Sequence, residues 1–101
     1  MDYRKLRGTE IEISAIALGC WPFGAPDTWG RQDDEVSIAT VKAALDAGIN
    51  FFDTAEGYGK GKSEEVLGRG LKGRRQEAVI ATKVGSGDPE QVQEACERSL
   101  R

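Results

Sequence analysis

Three residues of this chain have the types and spacing to move a proton together: Asp53, Tyr58 and Lys83. Asp53 closes the apolar run Ile49-Asn50-Phe51-Phe52, and Lys83 closes Ala78-Val79-Ile80-Ala81-Thr82. Tyr58 follows Asp53 by five residues, on a glycine-rich loop. If the two runs are adjacent strands they lie ~4.8 Å apart, and an acid and a lysine at matching heights pair as ions. A free tyrosine has a pKa near ~10 and is a poor acid at neutral pH. A close ammonium stabilises the phenolate and lowers that pKa, while the carboxylate keeps the lysine in place and protonated. Tyr58 would then pass a proton to a carbonyl oxygen as a hydride reaches the carbon. No side chain supplies a hydride, so a cofactor must. Taken without their flanking residues, Asp53 and Lys83 read first as a structural ion pair, and Tyr58 as a packed aromatic.

These residues need strands and helices to hold them. Residues 3–6 and 10–13 flank Gly8-Thr9 and predict a hairpin, with Ile11 and Ile13 on one face. Residues 16–21 read as a short buried strand ending in Gly19-Cys20-Trp21. Residues 22–31 are loop, and carry Trp29. Asp33 and Asp34 offer an N-cap to a helix over 35–47, with Gly48 as its C′ residue. Val36, Ala39, Ala43 and Ala47 share one face of it, with Ile38, Val41 and Leu45 beside them.

A second strand over 49–54 follows, then a second helix with Ser63 as its cap and Glu64 and Glu65 at its positive dipole end. Val66, Leu67 and Leu71 form its apolar stripe. The basic cluster 72–75 reads as a solvated helix end without a partner, and 78–84 as the third strand. Asp88, Pro89 and Gln91 open a third helix in a capping-box pattern, whose stripe puts Cys96 in the core. Strands ~30 residues apart with helices between them predict a parallel α/β sheet covered on both faces. The third helix reaches Leu100-Arg101 without a C-cap signal, and three parallel strands leave two open edges. A larger α/β protein, or completion by a partner, is therefore expected.

The chain has 101 residues, 14 basic against 17 acidic, for a net charge of −3. That lacks the basic face that binds phosphate backbones, so no nucleic-acid partner is expected. No apolar run approaches ~20 residues, so no membrane span is expected. With two cysteines and no visible leader, a reducing cytoplasm fits. Histidine is absent, which excludes Ser-His-Asp and Cys-His catalysis from this chain and removes the commonest zinc ligand, so no metal is expected. Two phosphate-loop look-alikes fail. Gly68-Arg69-Gly70-Leu71-Lys72-Gly73 ends a helix instead of following a strand, and Gly61-Lys62-Ser63 lacks its leading glycine at Glu56.

The run Asp53-Thr54-Ala55-Glu56-Gly57-Tyr58-Gly59, with Ser63-Glu64-Glu65-Val66-Leu67-Gly68 and Ala81-Thr82-Lys83, resembles the aldo-keto reductases. Leu18-Gly19-Cys20-Trp21 after a hairpin matches too, with Cys20 where that family often has threonine. The resemblance implies a (β/α)8 TIM barrel, of which residues 1–101 would be the N-terminal portion: the hairpin and the first three βα units. It implies NADPH-dependent reduction of small aldehydes and ketones, with Asp53, Tyr58 and Lys83 as catalytic residues. It places Gly19, Cys20, Trp21 and Asp53 at the cofactor, and Trp21 with Tyr58 at the substrate. Trp29 reads equally as a substrate-pocket lid and as a loop anchor.

The family's catalytic histidine and phosphate-binding loops have no counterpart here, so the chain alone is expected to be inactive or nearly so. A Schiff-base lyase using Lys83 is an alternative, which the neighbouring Asp53 disfavours by raising a lysine's pKa. A non-catalytic cofactor-binding or assembly subunit, self-associating through its open sheet edges, is another.

Overall fold

Three short parallel strands carry the chain. The computed structural model describes residues 1–24, 33–85 and 87–100, so Trp29 lies outside the described residues. β1 (Tyr3–Lys5) and β2 (Glu12–Ser14) form an antiparallel hairpin, with Tyr3 opposite Ser14. β3 (Ala17–Gly19), β4 (Phe51–Asp53) and β5 (Val79–Ala81) pair in parallel, in that order. Register sets Leu18 beside Phe52 beside Ile80, and Gly19 beside Asp53 beside Ala81.

Successive strand residues point to opposite faces. Leu18, Phe52 and Ile80 turn to the core, where Phe52 packs in one cluster with Val41, Leu45, Val66, Leu67 and Leu71. The alternate residues, Ala17, Phe51 and Val79 among them, stay half-buried or exposed. Among the described residues that cluster covers one face of the sheet. An apolar strand shows what it buries well, and only one of its two layers comes from the described residues.

The hairpin closes the N-terminal end of the strands. Asn50, just before β4, takes a hydrogen bond from the Ser14 backbone N–H (2.7 Å) and donates to the Glu12 carbonyl through its side-chain amide (2.9 Å). The Tyr3 hydroxyl donates to the Gly48 carbonyl at 2.6 Å.

α1 (Asp34–Asp46) starts where the sequence predicts: the Asp33 carboxylate accepts from the Glu35 N–H at 3.0 Å. Its buried residues are Ser37, Val41, Ala44 and Leu45, while Val36 is exposed. The buried stripe is thus rotated from the expected one. Alanines are spread around this helix, so periodicity alone selects no face.

α2 (Lys62–Gly70) buries Val66 and Leu67 as expected, with Leu71 just beyond its end, and approaches α1 closely at Gly70. A Cβ there would stand 2.8 Å from the Val41 Cβ. Asp34 clips the two helices together, accepting from Lys62 Nζ at 2.7 Å and Arg69 at 3.4 Å. The basic turn after α2 is more than a solvated end, because Arg74 pairs with Asp46 (2.8 Å) and Glu77 (2.9 Å).

α3 (Pro89–Ser99) is capped by Asp88, which accepts from the Glu90 N–H at 3.0 Å. Ala95 is its buried residue, and Cys96 is exposed, not core. Both follow Val92 at helical spacing, and the smaller residue takes the inner position. Among the described residues no helix is long and apolar enough to cross a membrane.

Candidate active site

The parallel hydrogen-bond ladder continues past the strand ends. The Cys20 N–H donates to the Asp53 carbonyl (2.9 Å), the Thr54 N–H to Ala81 (2.9 Å) and the Glu56 N–H to Lys83 (3.0 Å). This extension carries Asp53, Tyr58 and Lys83 to one end of the sheet. Lys83 lies two residues beyond β5 instead of ending it, and its ammonium reaches back to β4. It donates to the Asp53 carboxylate at 2.5 Å and to the Thr54 carbonyl at 3.0 Å.

The same ammonium stands 5.4 Å from the centre of the Tyr58 ring. The hydrogen bond to Asp53 is the main force holding the Lys83 pKa above the ordinary lysine value. Desolvation works against it, and the charges of Asp53 and Tyr58 add to it. Lys83 is therefore a cation at neutral pH, and its neutral, nucleophilic form is suppressed.

Trp21 stacks on Tyr58 with ring centres 5.6 Å apart and planes 20° off parallel. It is 42% exposed. Gly19 shares with Asp53 the sheet face opposite the core cluster, and a Cβ built on it would meet nothing within 4 Å. Cys20 behaves differently from its neighbours. Its thiol is fully buried in the core cluster, 3.6 Å from the Leu18 carbonyl. Burial, and secondarily the charge of Asp53, push that thiol's pKa up to about 12.

The Tyr58 loop is clamped on three sides. Its backbone touches Gly24 so closely that a Cβ on Gly24 would lie 2.5 Å from the Tyr58 carbonyl oxygen. Gly59, at φ +66, packs in turn against the Gly24 backbone. Glu56 pairs with Arg98 of α3 at 2.6 Å, and Glu64 accepts from Thr82 (2.9 Å) and Ser99 (3.0 Å).

Ser63 overturns its expected role. The N-cap of α2 is Gly61, at φ +93, with no side-chain cap, and Ser63 lies one residue inside the helix with its hydroxyl turned inward. That hydroxyl donates to the Cys20 carbonyl at 2.7 Å and lies 2.7 Å from the Thr54 hydroxyl. Sequence reasoning missed Ser63, Thr54 and Gly24. The one signal, a serine ahead of Glu64-Glu65, was the pattern of a cap. A groove of about 910 Å³ on the outer side, lined by Glu64, Gly68, Arg69 and Arg98 among others, holds none of Asp53, Tyr58 and Lys83.

Residues 15–101 match the model of the aldo/keto reductase family. Aldo-keto reductase YhdN of Bacillus subtilis is 46% identical over 85 residues, which is 82% of this chain and 25% of that protein. The holo form of aldo-keto reductase AKR11C1 from Bacillus halodurans superposes with a TM-score of 0.84 at 32% identity, over 100% of this chain and 36% of that one. An aldo-keto reductase from Klebsiella pneumoniae, solved in complex with NADPH, gives 0.81 at 33% identity, over 100% and 35%. The chain spans about a quarter of the length of the curated relative it matches, and its hairpin and three βα units are those of a (β/α)8 barrel. With its fold and the matched span agreeing, the chain belongs to the aldo/keto reductase family.

Proposed function

We propose that residues 1–101 form the N-terminal portion of an aldo-keto reductase barrel and supply the proton-transfer side of its active site. The reaction is NADPH-dependent reduction of a small aldehyde or ketone to an alcohol. The observation that carries this reading is the Lys83 ammonium, held between the Asp53 carboxylate and the Thr54 carbonyl and 5.4 Å from the Tyr58 ring.

Tyr58 gives its hydroxyl proton to the carbonyl oxygen of the substrate. Lys83 stabilises the phenolate that remains, and Asp53 keeps Lys83 charged and in place. Trp21, stacked on Tyr58, lines the carbonyl pocket. The nicotinamide end of the cofactor would lie on the sheet face opposite the core cluster, where Gly19 leaves room in register with Asp53. Gly19, the Cys20 backbone, Trp21 and Asp53 would hold it there. When bound, NADPH supplies the hydride; the Klebsiella relative solved with NADPH supports that choice.

The raised Lys83 pKa favours this role over a Schiff-base nucleophile, which must be neutral. Among the described residues the outer edges of β3 and β5 are unpaired, which supports self-association as an alternative to closure into a barrel. The free thiols Cys20 and Cys96 support a reducing cytoplasm.

The test is a chimera in which residues 15–101 replace the matched segment of the Bacillus subtilis reductase. It is expected to oxidise NADPH with simple aldehydes. Tyr58→Phe in that chimera lowers kcat by roughly 10²–10⁴, the usual worth of a positioned acid, and leaves the unfolding midpoint unchanged. An active chimera whose Tyr58→Phe variant keeps kcat within about threefold overturns the assignment.

A further inference from the structure

Ser63 is fully buried, and every hydrogen-bonding group it turns toward the site is engaged. Its backbone N–H donates to the Tyr58 carbonyl at 3.1 Å. Its hydroxyl proton goes to the Cys20 carbonyl, which can only accept. The 2.7 Å contact with Thr54 must then run the other way, with the Thr54 hydroxyl donating to Ser63 Oγ. One residue thereby fastens three segments that are far apart in sequence: the end of β3 before Trp21, the end of β4, and the loop that carries Tyr58. Thr54 extends the chain of contacts, since its carbonyl accepts from the Lys83 ammonium at 3.0 Å. A surface serine would do none of this, because water would compete for each bond. Here the polar atoms are sealed in, and an unmade bond leaves a buried group without a partner.

We propose that Ser63 is a positioning residue: its buried hydroxyl holds the Cys20–Trp21 backbone while its backbone N–H holds the Tyr58 carbonyl, so that one residue ties the two segments together. The Trp21–Tyr58 stack, and with it the place of the Tyr58 hydroxyl, depends on that lock. Its consequence for catalysis rests on the reading of Tyr58 as proton donor. The lock itself is read without turnover, so the two can fail separately.

The experiment uses the 101-residue chain with Tyr3→Phe and Trp29→Phe, which leaves Trp21 and Tyr58 as its sole tryptophan and tyrosine. The stacked pair gives a near-UV circular dichroism band. Ser63→Ala is expected to remove at least half of that band while the far-UV spectrum is kept. Thr54→Val, which also deletes a buried hydroxyl but leaves the bond from Ser63 to Cys20, keeps at least nine-tenths of it. A band equally strong in Ser63→Ala, equally weakened in Thr54→Val, or absent from the parent overturns the proposal.

Should Ser63→Ala unfold, amide hydrogen exchange of the unsubstituted chain decides. The Cys20, Thr54 and Ser63 amides are expected to exchange through one shared opening, with protection within about threefold of each other. Protection of Cys20 or Ser63 more than tenfold below that of Thr54 overturns the lock.

Discussion

Gly24→Ala probes how tightly the Tyr58 loop is held. Gly24 has φ −133, a conformation open to alanine, so the substitution brings no backbone strain of its own. Its effect is steric. The new methyl would lie 2.5 Å from the Tyr58 carbonyl oxygen, 2.9 Å from the carbonyl carbon and 3.1 Å from the Ser63 nitrogen. Ordinary contact begins at 3.4 Å, so the two segments must separate by roughly 0.9 Å. All three atoms are backbone, and no rotamer change relieves them. Overpacking of this kind costs about 1–3 kcal/mol of stability.

The Tyr58 hydroxyl moves with its loop, and a ~1 Å misplacement of a reacting group lowers the rate by on the order of 10²-fold. That corresponds to about 2.7 kcal/mol of transition-state stabilisation. The assay is steady-state NADPH oxidation by the Bacillus subtilis chimera, with urea unfolding in parallel. Gly68→Ala is the control, because a Cβ there meets nothing within 4 Å and the helix gains up to ~1 kcal/mol. A Gly24→Ala chimera that turns over within about threefold of its parent would refute the clamp.

Two further predictions concern thiols and pH. Cys20 is buried with its pKa near 12, while Cys96 is exposed, so a thiol reagent at pH 8 should modify Cys96 alone in the folded chain and both after denaturation. Mass spectrometry of the digest checks this, and equal labelling of Cys20 in the folded chain contradicts it.

The pH dependence has two limbs of opposite sign. The Lys83 pKa is raised by Asp53, so its contribution to stability is complete below the ordinary value of 10.5 and is lost as pH rises through the higher folded value. The Asp34 pKa is lowered, chiefly by the hydrogen bond from Lys62, so its contribution is present above 3.8 and is lost as pH falls through the lower folded value. Melting curves of the chain against Lys83→Met and Asp34→Asn should therefore converge at the alkaline and acid ends respectively. A gap that stays constant across either limb contradicts the assignment.

What the sequence reveals and what it hides divides along a physical line. Asp33, Asp88 and Pro89 act through their nearest neighbours, and they cap helices where local chemistry says they should. The gathering of Asp53, Tyr58 and Lys83 at one end of the sheet is legible because their types, order and spacing coincide. Ser63 is illegible for the opposite reason. Its partner Cys20 is 43 residues away, and a serine ahead of two glutamates has a local use that the fold does not take up. Cys96 and Ala95 follow Val92 at nearly equivalent helical positions, and only the neighbouring surface chooses between them. Gly24 carries no local mark at all, because the backbone it must clear belongs to residue 58.

The site draws its order from backbone more than from side chains. The hydrogen bonds of Cys20 to Asp53, Thr54 to Ala81 and Glu56 to Lys83 extend the sheet's ladder beyond its last regular pair. Asp53 and Lys83 thus stand on paired backbone, although their side chains are about half exposed, at 48% and 53%. Exposure limits what their charges can do. Two unit charges 4 Å apart interact by ~1 kcal/mol in bulk water and by ~4 kcal/mol at an effective dielectric of 20. On the proposed reading of Tyr58 as proton donor, most of the electrostatic strength of this group therefore depends on the exclusion of water. On that reading the 101-residue chain by itself is expected to oxidise NADPH with simple aldehydes at a trace rate at most, and a rate comparable with that of the Bacillus subtilis chimera contradicts it.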